Sequence, residues 1–396
     1  MRNCLSGTVL LALACISCGE VREIGQDGGG IVDGASTVDA SLIDAPTGDI
    51  DSGGPCPLGA ICSGPVNFAF VTSESYVAQD VRTAAAADSI CNELAMDGNL
   101  PGTYVAWLST DTESARSRLG TANGWVRPDR RPFAVSQSSL LDFHEIVHPL
   151  NMDENKVYSA DDAPPVMTGS TADGDTAAVC PELSGSGGSV RVGLSDRADG
   201  RWSFSESKPC ADRFRMYCFG VDNDSPLTNL PVAVGRKAWV SNRLLSSDAR
   251  RNGMDGACAG EAIVAGVTGP VIALVAQANE SAVSRLNTNG PTWVRTDGVV
   301  LWEQAGDILT APPLAGISVL ATGVSAPEDI GFATAGAVWS GARSPNVAGE
   351  GTHCFNWDTT VATGASIGDM ASVGPSYFFN SAVPCAALLP VYCFER

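Results

Sequence analysis

Two stretches of the chain end in almost the same way, with PCADRFRMYCF at residues 209–219 and PCAALLPVYCF at residues 384–394. Each contains a Pro-Cys pair and closes on Tyr-Cys-Phe, with its two cysteines equally far apart. Two further cysteines precede each stretch, which gives the sets Cys91, Cys180, Cys210, Cys218 and Cys258, Cys354, Cys385, Cys393. This pattern predicts a duplicated, cysteine-rich unit.

The repeat continues outside the cysteines. At the offset that separates Cys91 from Cys258, ESARSRL at 113–119 meets ESAVSRL at 280–286. One residue out of step, the tripeptide WVR occurs in both halves. At 396 residues the chain is long enough for two domains that each bury a core. We therefore predict domains at residues 66–221 (copy 1) and 232–396 (copy 2), joined by a linker at 222–231.

Local patterns predict the same elements in both copies. A first strand is followed by a helix that carries the first cysteine and stops at a glycine, and then by a buried strand. The expected ranges are 68–72, 84–97 and 104–108 in copy 1, and 237–241, 255–265 and 271–275 in copy 2. Thr112 and Asn279 are expected to cap a second helix. Short strands and loops around the later cysteines complete an α+β fold with small antiparallel sheets and a disulfide-held loop region.

The N-terminus is typical of an exported chain. Arg2 precedes an apolar stretch that is too short to span a bilayer and that ends in small residues around Cys15 and Cys18. Residues 1–18 resemble a bacterial lipoprotein signal, with acylation at Cys18 and with Cys15 as the alternative. We therefore expect a lipid-anchored protein of the bacterial cell envelope, at the outer membrane or the cell surface.

Residues 19–65 are predicted to form an acidic tether that ends in a small disulfide loop. Aspartate recurs there among Gly, Ala, Ser and Thr, and such a segment buries too little apolar surface to fold. Cys56 and Cys62 are close enough in sequence to pair. Without the signal-peptide cysteines the number of cysteines is even, as expected outside the cytoplasm. The net charge of −20 excludes nucleic acid as a partner, and we expect membrane contact through the N-terminal lipid only.

The strand–helix–strand–helix opening, the Thr/Ser-Gly turns at 168–169 and 340–341, and the Cys…Pro-Cys…Tyr-Cys-Phe ending together resemble a known family. It is a bacterial domain of unknown function in the C-type-lectin-like and endostatin-like superfamily. The resemblance covers both copies. It implies that the outer cysteines pair, as do the inner two, which gives Cys91–Cys218, Cys180–Cys210, Cys258–Cys393 and Cys354–Cys385.

Calcium-dependent sugar binding in that superfamily needs a Glu-Pro-Asn type and a Trp-Asn-Asp type tripeptide. The chain has Ser344-Pro345-Asn346 in the right neighbourhood, with serine in place of the carboxylate, and it lacks the Asn-Asp pair before the third cysteine of each set. Asp196, Asp199 and Glu206 remain calcium candidates, against the plainer interpretation that they are exposed turn residues.

The run His144-Glu145-Ile146-Val147-His148 satisfies the His-Glu-x-x-His signature. In that signature two histidines one helical turn apart bind zinc, and the glutamate activates water. Pro149 would end a helix at the second ligand, and no third ligand is evident. The segment that we expect at the same place in copy 2, residues 307–314, contains no histidine. A zinc-dependent hydrolase built on His144, Glu145 and His148 is therefore an alternative hypothesis only.

Two further patterns are assigned structural roles. Residues 364–368 match Gly-x-Ser-x-Gly, but no parallel α/β sheet is predicted around them, so we interpret this segment as a loop. Most tryptophans match between the copies or lie near cysteines, and we expect them in the core. Trp202 and Trp357 are the candidates for a binding face.

The main hypothesis is a non-enzymatic binding or adhesion protein, in which the tether presents two C-type-lectin-like domains at the cell surface. The expected ligand is a carbohydrate, or an extracellular or envelope protein. No catalytic residue and no cofactor are assigned, and calcium and zinc are left open. A purely structural envelope protein is the third hypothesis.

Overall fold

The computed structural model describes residues 56–81, 83–160, 163–180, 187–327, 336–361 and 364–396. The signal peptide, the acylated cysteine and residues 19–55 of the tether are predictions that lie outside these ranges. Within the described residues no helix is both long and apolar enough to cross a membrane.

Copy 1 has a mixed α+β fold with short helices. Its helices are α1 (Ala78–Val81), α2 (Ala84–Asp97), α3 (Ala115–Arg118) and α4 (Gln137–Leu141). Its strands are β1 (Asn67–Val71), β2 (Tyr76–Val77), β3 (Tyr104–Ala106), β4 (Trp125–Val126), β5 (Pro132–Ala134), β6 (Val166–Met167), β7 (Ser189–Gly193), β8 (Glu206–Pro209), β9 (Arg213–Phe214) and β10 (Tyr217–Gly220). A 3-10 turn covers Gly200–Trp202.

Copy 2 repeats this arrangement with one long helix, α5 (Arg250–Glu261). Its strands are β11 (Arg236–Val240), β12 (Val271–Ala273), β13 (Trp293–Arg295), β14 (Ala337–Trp339), β15 (Ala365–Asp369), β16 (Ser381–Val383) and β17 (Tyr392–Glu395). The 3-10 turns are Ser247–Ala249, Ala282–Arg285, Ala305–Leu309 and Pro375–Tyr377.

The sheets of the two copies have matching strand orders. The larger sheet runs β3-β10-β1-β4-β5 in copy 1 and β12-β17-β11-β13 in copy 2, and the smaller one runs β6-β7-β8 and β14-β15-β16. The pairs β1–β4 and β11–β13 are parallel, whereas the other pairs within these sheets are antiparallel. The first and last strands of each copy lie side by side, so each copy closes on itself. Both copies nevertheless belong to one compact unit.

Helix α2 forms where the sequence predicts it. Thr83 caps it by accepting a hydrogen bond from the backbone N–H of Ala86, and an alanine run favours the helical backbone. Ala87, Cys91 and Ala95 lie one turn apart and are buried against the sheet. The helix ends at Gly98, whose N–H bonds to the Leu94 carbonyl oxygen.

Five disulfides cross-link the described residues. They are Cys56–Cys62, Cys91–Cys218, Cys180–Cys210, Cys258–Cys393 and Cys354–Cys385, which are the pairs given in the sequence analysis. The outer bond of each copy joins the long helix to the last strand. The inner bond joins the loop between the first two strands of the smaller sheet to the chain just after its last strand.

An ion pair explains part of the sequence repeat. Arg118 bonds to Asp88 in copy 1, and Arg285 bonds to Asp255 in copy 2. Each aspartate also accepts the backbone N–H of the following strand, from Ala106 at 2.8 Å and from the matching alanine of copy 2 at 2.9 Å. The conserved spacing between the two halves therefore preserves a link from the long helix to the strand and to the turn that follows it.

Several predicted boundaries in copy 2 and around the second helices are wrong. Helix α5 begins at Arg250, earlier than expected, because packing of Met254 and Cys258 outweighs the low helix propensity of its glycines. Ser114 caps α3, not Thr112. In copy 2 the second helix is a 3-10 turn after Ser281, so Asn279 caps nothing there.

The Gly-x-Ser-x-Gly segment is also different from the prediction. Residues 365–369 form β15, the middle strand of the smaller sheet, and Ser366 is fully buried. The segment is therefore a strand rather than a loop, and an exposed nucleophile is not presented there.

The segment Cys354–Trp357 is a left-handed turn. All four residues have positive φ, between 49° and 62°, which L-residues adopt rarely and usually one at a time. Cys354 and Trp357 are buried, whereas Phe355 is 74 % exposed. The turn is held by the inner disulfide, by the Trp357 indole N–H on the Ala276 carbonyl oxygen at 2.9 Å, and by Asn356, which accepts the Ala278 N–H.

Candidate functional site

The two copies meet through a symmetrical pair of backbone hydrogen bonds. The N–H of Ala198 donates to the Ala371 carbonyl oxygen at 2.8 Å, and the N–H of Val373 donates to the Asp196 carbonyl oxygen at 2.9 Å. Arg197 and Ser372 form the antiparallel bridge between them. These two hydrogen bonds use only backbone groups of the two copies.

The residues that meet there occupy equivalent positions in their copies. Gly193 and Gly368 lie near the ends of the equivalent strands β7 and β15, where a Cβ would collide with the carbonyl oxygen of Trp202 or of Tyr377. Those two carbonyls also accept equivalent hydrogen bonds, from the hydroxyls of Tyr217 and Tyr392. Counting from these anchors, Asp196 corresponds to Ala371, Arg197 to Ser372, and Ala198 to Val373. The copies are therefore related by an approximate twofold axis through the Arg197–Ser372 bridge.

The side chains at this axis break the symmetry. Asp369 of copy 2 is 1 % exposed and bonds to Arg197 Nη1 at 2.8 Å and to Arg201 at 2.6–2.8 Å. Asp199 also pairs with Arg201. At the equivalent positions the other half of the junction has Leu194, Ser372 and Ser376, so it has no such ion pair.

Two clefts flank the axis at equivalent places. The charged cleft encloses about 580 Å³ and is lined from copy 1, the linker and copy 2 by Phe143, His144, Glu145, Asp199, Arg201, Leu230, Arg295, Asp297 and Val324, among others. Its counterpart, the proline cleft, encloses about 460 Å³ and is lined by Tyr158, Pro164, Pro165, Asp196, Arg197, Pro312, Pro313 and Pro375, among others. Each cleft therefore takes one wall from each copy.

The charged cleft is lined by the first four residues of the His-Glu-x-x-His motif, but the motif is not helical. His144 has a φ of +52°, and no helix covers residues 144–148. His144 Nε2 lies 2.9 Å from Asp173 Oδ1, and Glu145 is exposed to solvent. The two histidines are therefore not on one face of a helix, as the zinc signature requires. Within the described ranges no three His, Cys, Asp or Glu residues are grouped to hold a metal ion.

His148 is enclosed in the core of copy 1. Its Nδ1 donates to the Pro132 carbonyl oxygen at 2.9 Å, and its Nε2 is buried and has no hydrogen-bond partner among the described residues. Burial, together with the nearby charge of Arg127, holds the pKa of this imidazole well below its usual value. The neutral ring therefore fills a core position, and Arg127 binds Asp129 beside it.

A matching arginine in copy 2 shows what replaces His148. Arg127 Nη1 donates to the Pro149 carbonyl oxygen, and Arg295 Nη1 donates to the Gly316 carbonyl oxygen, each at 3.2 Å. His148 therefore corresponds to Ala315, which is fully buried. The segment equivalent to 142–150 is 309–317, shifted from the predicted 307–314, and it likewise has no histidine.

The calcium candidates are not brought together. Asp199 pairs with Arg201, Glu206 pairs with Lys208 at 2.9 Å, and Asp196 lies 3.4 Å from Arg197 Nε. Each carboxylate lies beside a different cation, and within the described ranges the three are not grouped to hold a metal ion.

Trp202 and Trp357 do not form a binding face, because both are 0 % exposed and pack in the core. The exposed apolar and aromatic residues that line the clefts were missed by sequence reasoning, among them Phe143, Tyr158, Leu230 and Val324. Single apolar residues in loops carry no periodic signal, so only their meeting at the junction distinguishes them.

Neither the protein-family models nor the curated proteins with which the chain was compared contain a match to it.

Proposed function

We propose that the protein is a non-enzymatic binding or adhesion protein of the cell surface, and that its ligand occupies the charged cleft. The observation that carries this proposal is the meeting of exposed apolar side chains in one concave volume of about 580 Å³. Phe143 is 68 % exposed, Val324 63 % and Leu230 36 %, and they come from copy 1, copy 2 and the linker respectively. The volume lies in the usual range for ligand sites.

The chemistry of the charged cleft favours a polypeptide ligand. Exposed aromatic and aliphatic side chains surrounded by polar groups are typical of protein-binding surfaces. The charges at the edge of the apolar surface are mostly paired, as in Arg201 with Asp199 and Arg295 with Asp297. Such paired groups exclude water and fix the orientation of a partner, and they add little affinity of their own.

The hydrolase alternative gains no support from this site. Proteolysis through the His-Glu-x-x-His motif would need both imidazoles free to bind one ion, whereas His148 is enclosed and bonded to the Pro132 carbonyl oxygen. We therefore assign no catalytic residue, and no observation favours a purely structural envelope role over ligand binding.

The same proposal assigns both copies to the C-type-lectin-like class and the chain to the lipid-anchored proteins of the bacterial envelope. The repeated strand order and the disulfide pairs support the first assignment. The apolar segment before Cys18 supports the second. Labelled palmitate should enter the wild-type chain and Cys15→Ser but not Cys18→Ser, and equal labelling of all three would contradict acylation at Cys18.

Ligand binding is tested with the purified chain from residue 19 onward on arrays of extracellular peptides and of glycans, with and without a chelator. We expect chelator-independent binding to peptides that Phe143→Asp weakens at least tenfold. Phe355→Asp is the matched control, because Phe355 is equally open to solvent at 74 % but lies outside the cleft. Binding that both substitutions weaken equally, or that only glycans support, would contradict the proposal.

A further inference from the structure

The proline cleft differs from the charged cleft in its walls and in its floor. The prolines Pro164, Pro165, Pro312, Pro313 and Pro375 supply rigid apolar surface from both copies. They are joined by Tyr158, whose side chain is 43 % exposed. Proline and tyrosine lose little conformational freedom when a ligand packs on them, so such a wall is preorganised.

The Tyr158 ring is already held in place. Arg127 lies with its guanidinium carbon 5.4 Å from the ring centroid, and its Nη2 donates to the Tyr158 hydroxyl at 3.3 Å. Arg127 itself is fully buried and fixed by Asp129. The exposed part of the ring therefore presents a fixed aromatic surface to the cleft.

The floor of the proline cleft carries an incompletely neutralised carboxylate. Asp196, Asp199 and Asp369 face only Arg197 and Arg201 in the ion pairs at the axis. Asp369 and Asp199 make the close contacts with these two arginines. Asp196 is left with Arg197 Nε at 3.4 Å and with the Ser372 hydroxyl, which donates at 3.1 Å, and its side chain is 33 % exposed.

We propose that the proline cleft is a second ligand site, separate from the charged cleft, and that it takes an arginine or lysine side chain of a basic peptide. Such a side chain has an apolar stem, which would pack on the prolines and Tyr158, and a cationic head, which would reach Asp196. The volume of about 460 Å³ accommodates one long side chain with the backbone next to it. A chain of net charge −20 also attracts cations over a distance.

The charged cleft provides an internal comparison for this assignment. At the positions equivalent to Asp196 and Tyr158 it has Ala371 and Ser325, as the paired backbone bridges Met152–Tyr158 and Val319–Ser325 show. It therefore has neither a carboxylate nor an aromatic ring at these two positions, and its aspartates Asp199 and Asp297 are closely paired with arginines. We expect the preference for a basic side chain at the proline cleft, where a fixed tyrosine ring lies beside Asp196.

The test is titration calorimetry of the purified chain with an acetylated and amidated peptide that carries one central arginine between alanines. A second peptide replaces arginine by citrulline, which keeps the shape and removes the charge. We expect the citrulline peptide to bind the wild-type chain at least tenfold more weakly. Asp196→Asn should weaken binding of the arginine peptide at least tenfold, while it keeps an acceptor for the Ser372 hydroxyl.

Asp212→Asn is the matched control, because Asp212 is an exposed carboxylate outside both clefts and its loss changes the net charge equally. Melting temperatures of both variants establish that they fold. The proposal is overturned if Asp196→Asn and Asp212→Asn weaken binding equally, which would be general charge attraction. It is also overturned if the arginine and citrulline peptides bind equally well, or if the wild-type chain binds neither.

Discussion

The two halves of the junction between the copies share one backbone arrangement and differ in almost every side chain that faces it. In one half Asp369 is clamped by two arginines, and in the other Leu194, Ser372 and Ser376 stand at the same positions. The backbone pairs Ala198–Ala371 and Val373–Asp196 are nevertheless the same. Because these two hydrogen bonds join backbone groups, the side chains around them can differ between the two halves. The duplicated chain therefore carries two clefts of different chemistry.

The largest effect should come from breaking the half that holds the ion pairs. Asp369→Ala leaves Arg197 and Arg201 without their buried partner, and we expect the free energy of unfolding to fall by about 3–5 kcal/mol. Leu194→Ala, at the equivalent position, removes a partly buried apolar side chain and should cost less. Urea denaturation of both variants measures the difference.

A fivefold variant sharpens the same comparison. Asp369→Leu, Arg197→Ser, Arg201→Ser, Asp196→Ala and Asp199→Gly together install the residues of the other half and remove every charged group of these ion pairs. Replacement of a whole buried ion cluster is often close to neutral, so we expect most of the lost stability to return. If the fivefold variant were as unstable as Asp369→Ala, the two halves would not be equivalent in the way that their backbone suggests.

The second comparison is between His148 and Ala315, which occupy the same buried position in the two copies. Because the pKa of folded His148 lies well below its usual value, the unfolded chain binds the proton first as the pH falls. The free energy of unfolding should therefore decrease below about pH 6.5, by up to about 1.4 kcal/mol per pH unit from this residue.

His148→Gln removes that proton-binding site and keeps a group that can donate to the Pro132 carbonyl oxygen. Its stability should change less than that of the wild-type chain between about pH 6.5 and pH 5, where carboxylates of ordinary pKa contribute little. Chemical denaturation across this range checks the slope. Parallel pH curves for the two proteins would mean that His148 is not the group that links pH to stability here.

The sequence predicts the features that depend on neighbouring residues or that are repeated in both copies. The limits of α2 follow from Thr83, an alanine run and Gly98, and the match between ESARSRL and ESAVSRL reflects the ion pairs Arg118–Asp88 and Arg285–Asp255. The membership of the cysteine sets is equally plain. Each of these features depends on side chains whose identity is retained in both copies or on capping rules within one segment.

The junction between the copies and its two clefts have no comparable signal in the amino-acid sequence. Hydrogen bonds between backbone groups join Asp196-Arg197-Ala198 to Ala371-Ser372-Val373. Every residue except proline provides both backbone groups, so the sequence does not show that these two segments are equivalent. Phe143, Leu230 and Val324 are far apart in sequence and meet only because the two copies pack together. The His-Glu-x-x-His motif was misleading for the opposite reason, since its letters match while its backbone is not helical.

In the left-handed turn at Cys354–Trp357, the variant Phe355→Gly gives the smallest expected effect. In Phe355 the φ of +51° costs an L-residue about 1–2 kcal/mol, and glycine avoids that cost while losing about 0.5–1 kcal/mol through the greater entropy of its unfolded chain. Since the Phe355 side chain is 74 % exposed, its removal gives up little buried surface. We expect Phe355→Gly to raise the free energy of unfolding by about 0.5–1 kcal/mol.

Copy 1 has Pro181 after the equivalent cysteine. Placing proline at residue 355 of copy 2 should change the free energy of unfolding in the opposite direction. A proline ring fixes φ near −65°, so Phe355→Pro is incompatible with the turn and should destabilise by about 3 kcal/mol or more. Thermal and urea denaturation with the Cys354–Cys385 bond intact compare the two variants. If glycine and proline shifted stability in the same direction, positive φ at Phe355 would not be what the folded chain requires. The turn would then be set by the disulfide and by Trp357 alone, with residue 355 free to follow either backbone conformation.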